Sequence, residues 1–228
     1  MRSKRFKENK ATVAALGVTT VEIAVQTLKT MKSVKFDESV ELHASIGIDP
    51  KKSDQQIRQN VSLPHGTGKV TRVIAFVEPA QETAAKNAGA DIIGTEEVID
   101  ELVKTGKIDF DVAIATPAMM PKLAKAARVL GPKGLMPNPK TDTVGPQVEK
   151  MIKDQKGGKI SFKNDSTCNV HITIGKMSFD ESKLIENAKV AIDALKKSKP
   201  SSSKGIFIKS LYITSTMSPS IALDPNIA

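Results

Sequence analysis

The side chains of this chain that could do chemistry gather in one stretch, KISFKNDSTCNVHITIGK at residues 159–176. Lys159, Ser161 and Lys163 fall on alternate positions, and so do Asn169, His171 and Thr173 further on. The segment Asn164-Asp165-Ser166 between them supplies turn chemistry. Ile160 and Phe162, then Val170, Ile172 and Ile174, take the intervening positions and face a core, because successive strand side chains point to opposite sides. The stretch therefore predicts one β-hairpin with a buried face and a polar face. Ammonium groups, hydroxyls and an imidazole on one face can neutralise phosphates and hydrogen-bond to sugars and bases. The same residues would also serve as an ordinary solvated face.

Other chemistries lack their residues. His43, His65 and His171 are far apart in sequence and show no metal-ligand spacing. The one cysteine, Cys168, excludes an internal disulfide framework and a Cys-based zinc cluster, which points to a reducing compartment. Gly66-Thr67-Gly68-Lys69 looks like the end of a phosphate loop, but Leu63 stands where that motif needs its first glycine, and Val70 where it needs Ser or Thr. No G-x-G-x-x-G follows the first strand of the middle segment, so a nucleotide-using enzyme is not supported. A DNA-binding protein would share the charge, but no helix-turn-helix or zinc signature is present. No apolar run approaches the roughly 18 residues that span a bilayer. The first ten residues lack the apolar core of a secretory signal and read as a flexible basic arm.

Charge localises the polar face's partner. The chain carries 34 Lys/Arg against 25 Asp/Glu, a net charge of +9. Residues 1–67 hold 11 cations against 7 anions, residues 68–158 hold 13 against 12, and residues 159–228 hold 10 against 6. The middle is nearly neutral while both ends are basic. If the ends fold together, they make one basic domain with a neutral domain inserted in it, which concentrates a surface for a polyanion such as nucleic acid.

The elements that position these residues follow from local patterns. Thr19 and Glu22 predict a capping box for a first helix. Val40, Leu42, Ala44, Ile46 and Ile48 alternate with polar residues as a half-buried strand, with His43 on its polar side. Lys35-Phe36 just before it suits either stacking on a nucleobase or filling the core. From Val73 the chain alternates apolar strands and helices, at 73–77, from Pro79 to Gly89, at 91–93, a helix capped by Thr95, a strand at 112–115 and a helix from Pro117 to Leu130. That order predicts a small doubly wound parallel sheet resembling a Rossmann unit. Residues 131–140, GPKGLMPNPK, form a rigid basic loop that could cover the sheet edge or contact another domain. Gly66 and Gly68 mark one interdomain hinge and Gly157 and Gly158 the other, which suggests domains that open and close. Ser178 and Glu181 predict a second capping box, for a helix that Pro200 stops. The last strand, 205–216, slips phase near Lys209-Ser210, as a bulge would make it. It ends in a hydroxyl-rich rim, Thr214-Ser215-Thr216-Met217-Ser218, and the last few residues read as loosely ordered. The fold class is thus α/β, an α+β end-built domain (1–67 with 159–228) plus a Rossmann-like inserted domain (68–158).

Gly134 to Lys140, the Asn164-Asp165 turn leading to His171 and Ile174-Gly175-Lys176, the Leu63–Lys69 hinge and the Thr-Ser-Thr-Met-Ser-Pro ending together resemble the bacterial large-subunit ribosomal protein L-one family over essentially the whole chain. The resemblance implies a non-enzymatic, cofactor-free and metal-free cytoplasmic protein, a monomer within the large ribosomal subunit. Its implied partners are ribosomal RNA of the mobile stalk, exit-site tRNA and its own operon mRNA, which it would repress. It also implies RNA-facing roles for Lys35, Phe36, Ser39, Lys163, Asp165, His171, Thr216, Met217 and Ser218. Two positions depart from the family, which usually has glycine where this chain has Cys168 and Ser218. A lost glycine at Ser218 would alter a close approach of backbone to RNA.

Overall fold

The computed structural model describes residues 3–32, 34–203 and 205–225. In chain order the elements are α1 (Lys4–Leu16), α2 (Val21–Thr30), β1 (Ser39–Ile46), β2 (Arg58–Ser62), β3 (Val73–Phe76), α3 (Glu82–Asn87), β4 (Ile92–Ile93), α4 (Glu96–Thr105) and β5 (Val112–Ala115). There follow α5 (Met120–Leu123), α6 (Ala127–Leu130), α7 (Val148–Lys156), β6 (Lys159–Lys163), β7 (Asn169–Lys176), α8 (Glu181–Lys197), β8 (Ile208–Ser215) and β9 (Ile221–Leu223). They divide into two compact units, one built from residues up to Gly68 and from Ser161 onward, the other from Lys69–Ile160.

In the first unit, β7-β1-β8-β9 form a four-stranded sheet whose pairs are all antiparallel. Strand β1 alternates strictly, with Val40, Leu42, Ala44 and Ile46 buried and the residues between them half-buried. Helices α2 and α8 pack on each other and on this sheet. Ala24, Val25 and Leu28 of α2 and Ala188, Ala191, Ile192 and Leu195 of α8 are buried. Each fully buried Leu or Ile contributes about 1.5–3 kcal/mol, and this helix–sheet layer holds the unit. The expected bulge is present: Ser45 pairs with Ser210 but Ile46 pairs with Ile208, which leaves Lys209 as the extra residue.

In the first unit three expectations are corrected. The 159–176 stretch is not a paired hairpin, because β6 joins β2 in a separate two-stranded sheet while β7 pairs with β1. Asn164 redirects the chain: its side-chain oxygen accepts the Ile57 N–H at 2.8 Å and its own N–H donates to the Ile57 carbonyl at 3.2 Å. A single bridge between Asn164 and Val170, with the Asp165 N–H donating to the Asn169 carbonyl at 2.8 Å, joins the two arms. The basic start is a helix rather than an arm, with the Ser3 hydroxyl accepting the Phe6 N–H at 3.3 Å. The caps shift as well. Thr20 caps α2, while Thr19 bridges to Leu223. Asp180 caps α8, and Ser178 instead donates its N–H and hydroxyl to the Asp37 carboxylate at 3.0 and 2.9 Å. Beyond the rim, Ile221–Leu223 form β9 against β8; the last few residues, 226–228, lie outside the described residues.

The second unit is a parallel sheet in the order β4-β3-β5. β3 is wholly buried, as a strand covered on both faces must be. Ile74 and Phe76 face a cluster with Ile99, Leu102, Leu123 and Leu130, and Val73 and Ala75 face another with Ile114 and Ile152. The expected continuous helix from Pro117 to Leu130 is broken into short 3-10 and α segments; Pro121, without an N–H, sits within them. The 131–140 loop covers core, since Leu135 and Met136 pack against the first cluster. Thr141 and Thr143 fasten it, each donating a hydroxyl to the Asn138 carbonyl at 3.0 and 3.1 Å.

Candidate nucleic-acid interface

At the start of β1 the backbone is tied to the end of β8 by one side chain. The Thr216 hydroxyl accepts the Ser39 N–H at 3.1 Å and lies 3.3 Å from the Ser39 carbonyl, which also accepts the Thr216 N–H at 3.1 Å. Buried Glu38, 2% exposed, accepts the Met217 N–H on its carboxylate at 2.7 Å. Arg5 of α1 donates to the Met217 carbonyl at 2.8 Å, and the Lys176 ammonium donates to the Ser39 hydroxyl at 2.9 Å. This backbone is therefore fixed from four sides. Beside it Phe36 is 53% and Met217 50% exposed, and Lys35 is exposed too. Of the two readings for Phe36, core filling is thereby excluded. Ser218 is half-buried in a turn, its N–H donating to the Ser215 carbonyl at 3.1 Å. Its φ is not positive, so nothing in its backbone calls for glycine.

A second group lies at the other end of β1. Asp165 organises the turn there: one carboxylate oxygen accepts the N–H groups of Thr167 and Asn169 at 2.9 and 2.7 Å, and the other accepts the Thr167 hydroxyl at 2.7 Å. The Asn169 amide first, then Thr167, hold its carboxyl below the usual aspartate range. Lys163 is exposed and lines a cleft of about 570 Å³ with Lys51, Arg58, Asn164 and Ser166. Cys168 stands at φ 64°, a left-handed backbone that disfavours any side chain, and its thiol lies 3.3 Å from the Ile48 carbonyl. A glycine there would relieve that strain.

Between the two groups runs the polar face of the sheet. Its register sets Thr173, Glu41 and Thr214 in one row, His171, His43 and Tyr212 in the next, and Asn169, Ser45 and Ser210 in the third. The Ser39–Thr216 group and the Asp165 turn are thus brought onto one sheet but not together, standing about 20 Å apart along β1 at strand rise. His171, exposed, stands with the second group, its Nε2 3.7 Å from the Asp165 carboxylate.

Of the glycines expected at the hinges, Gly66, Gly68 and Gly158 have φ of 63°, 73° and 99°, whereas Gly157, the C-cap of α7, has an ordinary φ of −75°, and a Cβ there would meet the Lys153 carbonyl at 3.1 Å. At Gly68 a Cβ would also meet the Phe179 ring at 2.8 Å. Sequence reasoning missed Asn187, fully buried on α8. Its amide donates to the carbonyls of Gly66 and Ile174 at 2.9 and 2.7 Å, and its oxygen accepts the His65 N–H at 3.2 Å. Residues 65–66 are therefore fastened within the first unit. Arg5, Glu38 and His43 were missed too; only His43, by sharing the polar parity of β1, left a signal.

Among the described residues no group of three or more His, Cys, Asp or Glu side chains is set to hold a metal, and no helix is long and apolar enough to cross a membrane. The chain is 51% identical over 203 residues to a large ribosomal subunit protein uL1 of Streptomyces griseus, covering 89% of this chain and 84% of that one. It is 48% identical over 223 residues to the protein of that name from Kosmotoga olearia, covering 98% and 96% of the two chains. It is likewise 48% identical over 225 residues to the one from Bifidobacterium longum, covering 99% and 97%. The model of the Ribosomal protein L1p/L10e family matches residues 28–219, spanning both groups of the sheet and the whole second unit, and the chain belongs to that family of ribosomal proteins.

Proposed function

We propose that this protein is a structural constituent of the large ribosomal subunit that binds ribosomal RNA at the mobile stalk through its first unit. In this reading it also takes part in exit-site tRNA release and represses its own operon mRNA through a stalk-like fold. The observation that carries the RNA reading is the pair of large side chains, Phe36 and Met217, left half-exposed on a backbone fixed by Thr216, Glu38 and Arg5. Rigid apolar groups beside an exposed lysine, Lys35, form a platform on which unstacked bases can lie while the ammonium meets phosphate. Lys163 supplies phosphate contact at the far end of β1. His171, Ser39 and Ser218 offer hydrogen bonds to 2′-hydroxyls and bases, and Asp165 shapes its turn.

The test is affinity for a ribosomal stalk RNA fragment with unrelated duplex RNA as competitor. Tight binding that survives the competitor is expected. Phe36→Ala should weaken it by about 1–3 kcal/mol, the range for losing a base-stacking aromatic, and Met217→Ala by less. Binding that the competitor abolishes, or that both substitutions leave unchanged, would remove this rim from the interface. The tRNA and mRNA roles are tested separately, by exit-site tRNA dissociation rates on ribosomes lacking the protein and by binding to its own leader transcript.

A further inference from the structure

We infer that His43 and His171 form a binding site for a borderline-soft divalent cation of the zinc type, held by the two facing Nδ1 atoms. The residues are direct partners across the β1–β7 ladder. Their Nδ1 atoms lie 2.7 Å apart, with ring centroids 4.9 Å apart and planes at 67°. On the far side of each ring stands a carboxylate. His43 Nε2 is 3.6 Å from Glu41, and His171 Nε2 is 3.7 Å from Asp165. Both carboxylates lie just beyond hydrogen-bond reach, and their charge favours the tautomer that keeps the proton on Nε2; a small ring movement would complete the N–H to carboxylate bond that commonly orients metal-bound histidine. With both Nε2 atoms protonated, two Nδ1 lone pairs point at each other. That is repulsive unless one proton or one metal ion lies between them. Burial and the neighbouring His171 both push the His43 imidazole toward its neutral form, so the pair does not readily hold two charges.

A tetrahedral zinc ion with bonds of about 2.05 Å needs the two nitrogens about 3.3 Å apart, roughly 0.6 Å wider than they stand. Exposed His171 can supply that by a small side-chain rotation. The approach is from solvent over His171, which is exposed. Two protein donors leave the remaining positions to water. When the ion enters, both Nδ1–metal bonds form and the shared proton leaves to solvent.

The experiment is calorimetric titration of the tag-free full chain with Zn2+, in the absence of RNA, so its outcome does not depend on the RNA reading. One saturable equivalent with proton release is expected, with no comparable binding of Mg2+, an oxygen-seeking ion. H43Q and H171Q should abolish it, and E41Q should weaken it by about tenfold, as the loss of an orienting partner does. H65Q and C168S, which alter the other nitrogen and sulfur donors, should leave it unchanged. On the unaltered protein, long-range 1H–15N spectra should show both Nδ1 resonances shifting on Zn2+ addition while both Nε2 stay protonated, a readout independent of whether the variants fold. Absence of saturable binding, retention of it in the H43Q/H171Q double variant, or unmoved Nδ1 resonances would overturn the site.

Discussion

At the scale of single residues, Cys168 is where local chemistry conflicts with the fold. The Asp165 turn requires φ 64° at this position, and a Cβ in the left-handed region costs about 1–2 kcal/mol. The thiol contact with the Ile48 carbonyl returns little of it, because sulfur is a weak donor. Glycine removes the strain but gives the unfolded chain more freedom, which offsets part of the gain. Cys168→Gly is therefore expected to stabilise the protein by up to about 1 kcal/mol, and Cys168→Val to destabilise it by about 1–2 kcal/mol, in urea unfolding. A neutral valine would show that the turn adopts another backbone. At Ser218 the same comparison with the family gives the opposite answer. Its backbone is ordinary, so serine there costs nothing in the free protein and changes only what the rim presents.

At the scale of elements, what could be read from the sequence was what repeats with a period. Strand β1 carries apolar residues at period 2, helices α2, α4 and α8 at period 3.6, and the strands of the second unit are continuous apolar runs; all stand within a residue or two of where those patterns put them. Elements held by specific bonds were not legible. In α1 only Asn9 is buried, and the helix is fastened by Asn9 and Arg5 to the Lys32 carbonyl at 3.1 and 3.0 Å, so no apolar stripe announces it. The separation of β6 from β7 has the same origin: alternation reported the faces correctly, whereas Asn164 chose the partner strand. The candidate site divides likewise. Exposure of Phe36 and Met217 and the facing of His43 and His171 depend on register between strands distant in sequence. Asn187 is the strongest case, because it meets three backbone groups inside the core. Asn187→Leu leaves those three groups unsatisfied and is expected to cost about 3 kcal/mol or more, at about 1–3 kcal/mol for each buried group left unpaired. A loss below 1 kcal/mol in denaturant unfolding would mean that water replaces the amide. In the second unit two carboxylates fasten the start of β3. Asp91 accepts the Val73 N–H at 2.8 Å, and Asp111 accepts the Arg72 N–H at 3.1 Å and pairs with Lys69. The Val73 amide and the Lys69 ammonium, in that order for the two residues, hold both carboxyls below the usual aspartate range. Their contribution is thus complete above the ordinary aspartate pKa and is lost as pH falls through the lower folded values. Stability measured from neutral to acid should decline in that window, and less steeply in an Asp91→Asn/Asp111→Asn variant. Equal slopes would count against the assignment.

At the scale of the whole molecule, charge is divided unevenly between the two units. The first holds 20 Lys/Arg against 13 Asp/Glu and the second 14 against 12. In the second unit much of the positive charge is also met locally: Lys159 pairs with Asp142 at 3.0 Å and approaches Asp154 at 3.8 Å, Lys156 pairs with Asp91, and Lys122 with Glu96. Lys51, Arg58 and Lys163 of the first unit line one cleft and make no ion pair among the described residues. Each cation that meets a phosphate releases condensed counterions and steepens the fall of log affinity with log salt by about 0.7–0.9. If the first unit carries the RNA contacts, replacing Lys51, Arg58 and Lys163 with alanine should flatten that slope by about 2–3, while replacing Lys104, Lys125 and Lys133 of the second unit should leave it unchanged. Each single replacement in the cleft should account for about one-third of the change, since the three cations would meet separate phosphates. A slope that responds equally to both triple variants would place the phosphates on both units and the specificity of the first in its Phe36–Met217 rim alone.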